Sequence, residues 1–156
     1  MKNQITPCLW FDGQAEEAAN FYTSVFKDSK IESISRYGKE GYEIHGQKEG
    51  TVLAVAFNIN GQQFTAMNGG PLFKFNESFS LQVFCETQEE IDYYWSRLTE
   101  GGEESMCGWL KDKFGLSWQV TPSILPKLMT DPLKSEKVMK AFMQMKKFDI
   151  DVLLKA

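Results

Sequence analysis

Few side chains in this sequence are equipped for acid–base or metal chemistry, and their spacing limits them further. His45 is the single histidine, so a two-histidine metal centre is impossible, and its place in a loop offers no convincing Ser-His-Asp arrangement. It sits in a polar stretch and is expected in solvent. Cys8, Cys85 and Cys107 show no C-x-x-C spacing, which reads as free, buried or half-buried thiols rather than a disulfide framework. Glu43, Glu49, Glu77, Glu86 and Asp112 fall in loops or at element ends, where a carboxylate is ordinarily a solvated charge or a cap.

Neutral hydrogen-bonding side chains are placed more regularly. In a strand, alternate residues share a face. Ser80, Gln82 and Phe84 therefore oppose Leu81, Val83 and Cys85. Ser117, Gln119 and Thr121 oppose Leu116, Trp118 and Val120, and Gln63, Thr65 and Met67 oppose Phe64 and Ala66. Each strand has a greasy face suited to cover by a helix and a mixed polar face. The alternation alone leaves that second face open to water or lining a cavity.

The elements that carry these residues recur. Ile5 to Phe11 reads as a short buried strand, broken by Asp12-Gly13, either of which can cap the next helix. Ala15, Ala18, Ala19, Tyr22, Val25 and Phe26 then follow helical spacing. Ser80 to Cys85 is a second such strand. Thr87 opens a capping box with Glu90, the helix stripe is Ile91, Tyr94, Trp95 and Leu98, and Gly101-Gly102 ends it. At an offset of 73, Phe11 falls on Phe84, Glu16 on Glu89, Glu17 on Glu90, Tyr22 on Trp95 and Val25 on Leu98. Such self-similarity is the mark of a duplicated unit.

The remaining strands support the duplication. Ile31 to Tyr37, Thr51 to Asn58 and Gln62 to Asn68 are strand-like, with Asn60-Gly61 as a hairpin signal. Ser105 to Trp109, Leu110 to Phe114 and Leu116 to Thr121 are their later counterparts. An offset of 54 brings Gly61 onto Gly115, Phe64 onto Trp118 and Thr65 onto Gln119. Each unit thus reads strand, helix, strand, strand, strand. The expected class is α+β: residues 1–156 form one domain, with βαβββ modules over 4–70 and 78–122 and a C-terminal helical extension over 123–156. Gly38 to Gly50 is a polar loop. In the extension, Asp131-Pro132 signals a helix start, and Val138, Met139, Phe142 and Met145 form its apolar face.

Composition bounds the partners. The chain has 156 residues, 42% of them apolar, with a net charge of −4. It can bury a sizeable core, and it lacks the basic footprint of a nucleic-acid or anionic-membrane binder. No run reaches the length of a membrane span. Met1-Lys2-Asn3-Gln4 is expected to lead straight into a strand without a signal segment, so a cytoplasmic location is expected.

Three segments carry a resemblance. They are Pro7-Cys8-Leu9-Trp10-Phe11-Asp12-Gly13, Asn68-Gly69-Gly70-Pro71 with Phe75-Asn76-Glu77, and the run from Cys107 to Gln119 that includes Trp109-Leu110-Lys111-Asp112. Together with the duplication, they resemble the PhnB-like branch of the vicinal oxygen chelate superfamily of glyoxalases, bleomycin-resistance proteins and extradiol dioxygenases. This branch carries the label 3-demethylubiquinone-9 3-methyltransferase-like. The resemblance implies paired units whose mixed sheets curl around a cup, and it turns the polar faces inward.

It also implies a divalent metal held by His, Glu or Gln of the first and last strands. The matching positions are Pro7, Thr65, Ser80 and Gln119. Only Gln119 is a plausible ligand, and one neutral amide does not hold zinc or iron. No metal and no cofactor are therefore expected. The expected ligand-binding set is Leu9, Phe11, Gln63, Thr65, Met67, Ser80, Gln82, Phe84, Ser117 and Gln119, with Trp109 at a rim; Trp10 and Trp118 fall on the core side. Amides, hydroxyls and aromatics with few charges suit a small neutral organic ligand. Of the carboxylates, Glu77 and Asp112 are the functional candidates, because they lie in the family-like segments. The methyl-transfer label finds no G-x-G-x-x-G in this sequence. Three readings stay open: a metal-free binding protein, an enzyme of the superfamily (lyase, dioxygenase or group transfer) with unusual ligands or none, and a purely structural or interaction module. A homodimer is expected in each case.

Overall fold

Two four-stranded mixed sheets of the same connectivity make up the architecture, each with one helix laid on it. The structure, a computed structural model, describes residues 5–156; the reading of Met1 to Gln4 lies outside the described residues. The elements run β1 (Cys8–Phe11), α1 (Ala15–Val25), β2 (Lys30–Arg36), α2 (Tyr42–His45), β3 (Val52–Ile59), β4 (Gln62–Asn68), β5 (Ser80–Cys85), α3 (Gln88–Thr99), β6 (Glu103–Glu104), β7 (Trp109–Lys111), β8 (Ser117–Pro122), α4 (Leu125–Thr130), α5 (Ser135–Phe142) and α6 (Ile150–Lys155). The chain divides into two compact units, Met1–Lys74 and Phe75–Ala156.

In the first unit the strand order is β1-β4-β3-β2. β1 pairs parallel with β4, and β3 runs antiparallel to both β4 and β2. Asn60 and Gly61 both adopt positive φ, and the Gly61 amide donates to Asn58 Oδ1 at 2.8 Å, which makes the tight β3–β4 turn. Ala15, Ala18, Ala19, Tyr22 and Val25 of α1 are buried over Leu9, Phe11, Val55, Phe57, Phe64 and Ala66. Phe57 stacks on Tyr22 and on its cross-strand partner Phe64, with centroids 6.2 and 5.3 Å apart. Neither Asp12 nor Gly13 caps α1. The Ala15 amide instead donates to Oδ1 of the buried Asn68 at the end of β4.

The second unit repeats the order as β5-β8-β7-β6, again with the outer pair β5–β8 parallel. Ile91, Trp95 and Leu98 of α3 are buried, as are Cys85, Leu110, Trp118 and Val120 of the sheet. Thr87 Oγ1 accepts from the Glu90 amide, while Glu90 Oε2 reaches past it to accept from the Glu86 amide.

The middle strands are shorter than the sequence suggests. The runs Ser105 to Trp109 and Leu110 to Phe114 are not strands: β6 is only Glu103–Glu104 and β7 only Trp109–Lys111. Cys107 and Gly108 adopt φ of 59° and 78°, which breaks any extended run between them. The Gly38 to Gly50 loop contains the single-turn helix α2. The extension holds three short helices, α4 to α6, rather than one. Val138 is buried as expected, but Met139 is 45% exposed and Met145 lies past the end of α5.

Candidate functional site

The uncovered face of each sheet carries the polar rows. In the first unit Cys8 stands beside Thr65 and Trp10 beside Met67, with Gln63 one step along β4. Gln63 Nε2 donates to Glu32 Oε1 at 3.0 Å. Trp10 Nε1 donates to the Gly70 carbonyl, and the Phe73 ring meets the indole edge-on at 5.0 Å.

Leu9 and Phe11 are not on this face. They are 2% and 3% exposed beneath α1, beside Ala66 and Asn68, and Trp10 takes the place expected of them. The cause is a single residue. Three residues separate β1 from α1, whereas two separate β5 from α3. The repeat offset is therefore 73 from α1 to α3 and 74 from β1 to β5, and a one-residue slip moves a strand's side chains to the opposite face. With that correction Cys8–Thr65 in the first unit corresponds to Gln82–Gln119 in the second.

In the second unit Ser80 pairs with Ser117 and Ser117 with Lys111, while Gln82 pairs with Gln119 and Gln119 with Trp109. Gln119 Nε2 donates to Ser80 Oγ at 2.8 Å, and Gln82 Nε2 donates to Gln119 Oε1 at 3.3 Å. Phe84 lies at the end of the same face, 53% exposed. The assignments of β4, β5 and β8 side chains to faces agree with the structure, as does the core position of Trp118.

Beside this row lies an open cavity of about 420 Å³, lined by Ser117, Trp109, Met106 and Lys111 and by the carboxylates Glu77, Glu103 and Glu104, among others. Ser117 is fully buried, and its Oγ has no hydrogen-bond partner. A buried hydroxyl without a partner costs about 1–3 kcal/mol, so its position in the cavity wall calls for an explanation.

Of the two candidate carboxylates, only Glu77 reaches the cavity. Its Oε1 lies 2.5 Å from Nζ of Lys111, a residue of a family-like segment that no spacing in the sequence marks for the site. The hydrogen bond from Lys111 holds the Glu77 carboxyl below its ordinary range, and the same bond raises the Lys111 ammonium. Asp112 is instead buried in the β7–β8 connection, accepting from the Phe114 and Leu116 amides and from Trp118 Nε1. It holds the turn rather than facing the cavity.

His45 is half-buried against the Tyr37 ring, 4.6 Å away, and its Nδ1 accepts from the Gln47 amide. Burial pushes the Cys85 thiol up to about 12, with a further push from Glu90. Burial also raises Cys8.

The residues present do not fit a divalent metal. The first and last strands pair Cys8 with Thr65 and Gln82 with Gln119. Pro7 offers only a carbonyl, which already accepts from the Thr65 amide. Ser80 and Gln119 satisfy each other. Among the described residues no three His, Cys, Asp or Glu side chains come together.

Comparison with known proteins agrees with this geometry at the level of fold and family. The sequence profile described as 3-demethylubiquinone-9 3-methyltransferase matches residues 3–121. No curated protein matches the chain. The PhnB protein from Bacillus cereus is 44% identical with a TM-score of 0.69, covering 78% of this chain and 100% of its own. PA1353 from Pseudomonas aeruginosa is 19% identical with a TM-score of 0.62, covering 76% and 96%. The fosfomycin resistance protein FosX from Listeria monocytogenes, solved with Mn(II) and sulfate, is 13% identical with a TM-score of 0.52, covering 80% and 94%. The last two show the fold alone. With its two βαβββ sheets and a family match over most of its length, the chain belongs to the 3-demethylubiquinone-9 3-methyltransferase family and has the fold of the vicinal oxygen chelate superfamily.

Proposed function

We propose that the protein binds a small neutral organic molecule in the cavity of the second sheet, without a metal. The observation that carries this reading is the buried Ser117 hydroxyl, which no protein group satisfies and which lines a cavity of about 420 Å³. The hydroxyl is closed to solvent in the free protein, so a ligand carbonyl or hydroxyl supplies the missing bond once the wall over it yields, with the ligand's apolar body resting on Trp109 and Met106. The cavity falls within the ordinary range of small-molecule pockets. Ser80, Gln82 and Gln119 continue the same face as a row of neutral hydrogen-bonders, with Phe84 at its end. Gln63, Thr65 and Met67 give the first sheet a face of like chemistry.

A thermal-shift screen of neutral amides, alcohols and ketones tests this. Stabilisation that persists in EDTA is expected for a subset and lost in Ser117→Ala. A shift abolished by EDTA in the unsubstituted protein, or one indifferent to Ser117, contradicts the reading.

The alternative is catalysis by the Glu77–Lys111 pair at the cavity wall. The pair suits acid–base work poorly. Each partner fixes the other in its charged form, away from neutrality, whereas a general acid or base works best with a pKa near the operating pH. Turnover of a methyl donor or a glyoxalase-type substrate, lost in Lys111→Met, would favour it. The three free thiols suit a reducing compartment such as the cytoplasm. Sedimentation at micromolar concentration tests the homodimer we infer with it.

A further inference from the structure

Residues 145–150 lie beyond the family match, which ends at residue 121, and run against the turn that bears Met106 and Cys107 in the cavity wall. The Cys107 amide donates to the Met145 carbonyl and the Gly108 amide to the Lys146 carbonyl, both at 2.7 Å. Phe148, 2% exposed, packs on Gly108 so closely that a Cβ there would lie 2.4 Å from the ring. Gly108 also has φ of 78°, so this position requires glycine twice over.

The segment is in turn tied to α3 and β6. Gln88 uses both ends of its amide on it: Nε2 donates to the Phe148 carbonyl and Oε1 accepts from the Ile150 amide, each at 3.0 Å. Lys147 pairs with Asp92 at 2.5 Å, and Lys146 with Glu104 at 3.5 Å. The 105–109 turn belongs to no long strand, and Cys107 holds a left-handed φ that a non-glycine residue rarely adopts. Such a turn keeps its shape only when its surroundings impose it.

We propose that this segment is a strap that fixes the Met106–Trp109 wall and so sets the size of ligand the cavity admits. The strap is a specificity-determining support and not a contact of the ligand. The inference rests on the cavity being the binding site. The strap lies outside the part of the chain that the family profile matches, residues 3–121.

The test uses the full chain with Gln88→Ala, which cuts two bonds to the strap, and with Phe148→Ala. Hydrogen exchange at the Cys107 and Gly108 amides is read beside that of Val83 and Val120 in the paired core strands. The probes are alkyl amides from acetamide to octanamide, followed by thermal shift. Loss of two hydrogen bonds is expected to speed exchange at Cys107 and Gly108 about tenfold with the core strands unchanged. The preferred amide is expected to lengthen by at least one methylene group. Unchanged exchange in Gln88→Ala overturns the strap, and so does faster exchange with an unchanged length preference. Should Phe148→Ala unfold the second unit, Gln88→Ala still decides the matter. If no amide binds the unsubstituted protein, the alcohols and ketones of the same chain lengths take their place, and if none of these binds the cavity reading itself fails before any variant is made.

Discussion

The Trp118 indole donates to Asp112 Oδ2 at 2.8 Å, while Oδ1 of the same carboxylate accepts from the Phe114 and Leu116 amides. One buried side chain thus closes the β7–β8 turn and fixes the core face of β8. The opposite face of that strand presents Ser117 and Gln119 to the polar row. Replacing Asp112 with alanine leaves buried donors unpaired and is expected to cost about 3 kcal/mol. The urea midpoint measures this. Asp112→Asn keeps one carbonyl oxygen as an acceptor and is expected to cost less.

Asn68 plays the corresponding part in the first unit by a different route. Its Oδ1 caps α1 through the Ala15 amide, and its Nδ2 donates to the Val52 carbonyl. Asn68→Ala is expected to cost about 2 kcal/mol. Loss of amide protection should begin in the first turn of α1, where hydrogen exchange can locate it.

Acid sensitivity follows from the lysine pairs. Hydrogen bonds from Lys111 and Lys147 lower the pKa of Glu77 and Asp92 below their ordinary values of 4.5 and 3.8. A group depressed in the folded state contributes stability above its unfolded pKa and loses it as pH falls through the folded value. The urea midpoint is therefore expected to be flat near neutrality and to fall once pH drops below about 4.5. All these partners are largely exposed, so 1 M salt should flatten that fall. Unchanged acid sensitivity in Lys111→Met with Lys147→Met would contradict this origin.

The thiols separate by environment. Cys8 is exposed, Cys107 half-buried and Cys85 buried with its thiol pushed up to about 12. At pH 8 a disulfide reagent is expected to modify the exposed Cys8, more slowly than a free thiol because its pKa is raised, and to leave Cys85 untouched until urea unfolds the chain. Rapid native labelling of Cys85, read by peptide mass, would show that α3 does not cover β5 as described.

Helix stripes were legible in the sequence because a 3.6-residue period survives a change in the loop before it: Tyr22 and Trp95, Val25 and Leu98 are buried equivalents. Strand faces were legible within β4, β5 and β8, where alternation speaks for itself. They failed at β1, where the face was carried over from β5 across loops of unequal length, and so Leu9 and Phe11 changed places with Cys8 and Trp10. Asp112 is a functional candidate by its family-like segment alone, and that position cannot say whether a carboxylate faces a cavity or, as here, holds a turn. Of the cavity wall, Met106 carries no local signal, and Cys107 and Lys111 are marked only by lying in a family-like segment. Their placement depends on Glu77 from a distant loop and on the carbonyls of Met145 and Lys146.

Calorimetric titration of butanamide in EDTA into the unsubstituted protein and Ser117→Ala gives the most direct test of the cavity. Removing the unsatisfied hydroxyl should leave the free protein as stable or more so, while weakening butanamide about tenfold. Equal affinity for the two proteins, or a free Ser117→Ala protein markedly less stable than the parent, would show that this hydroxyl does not wait for a ligand.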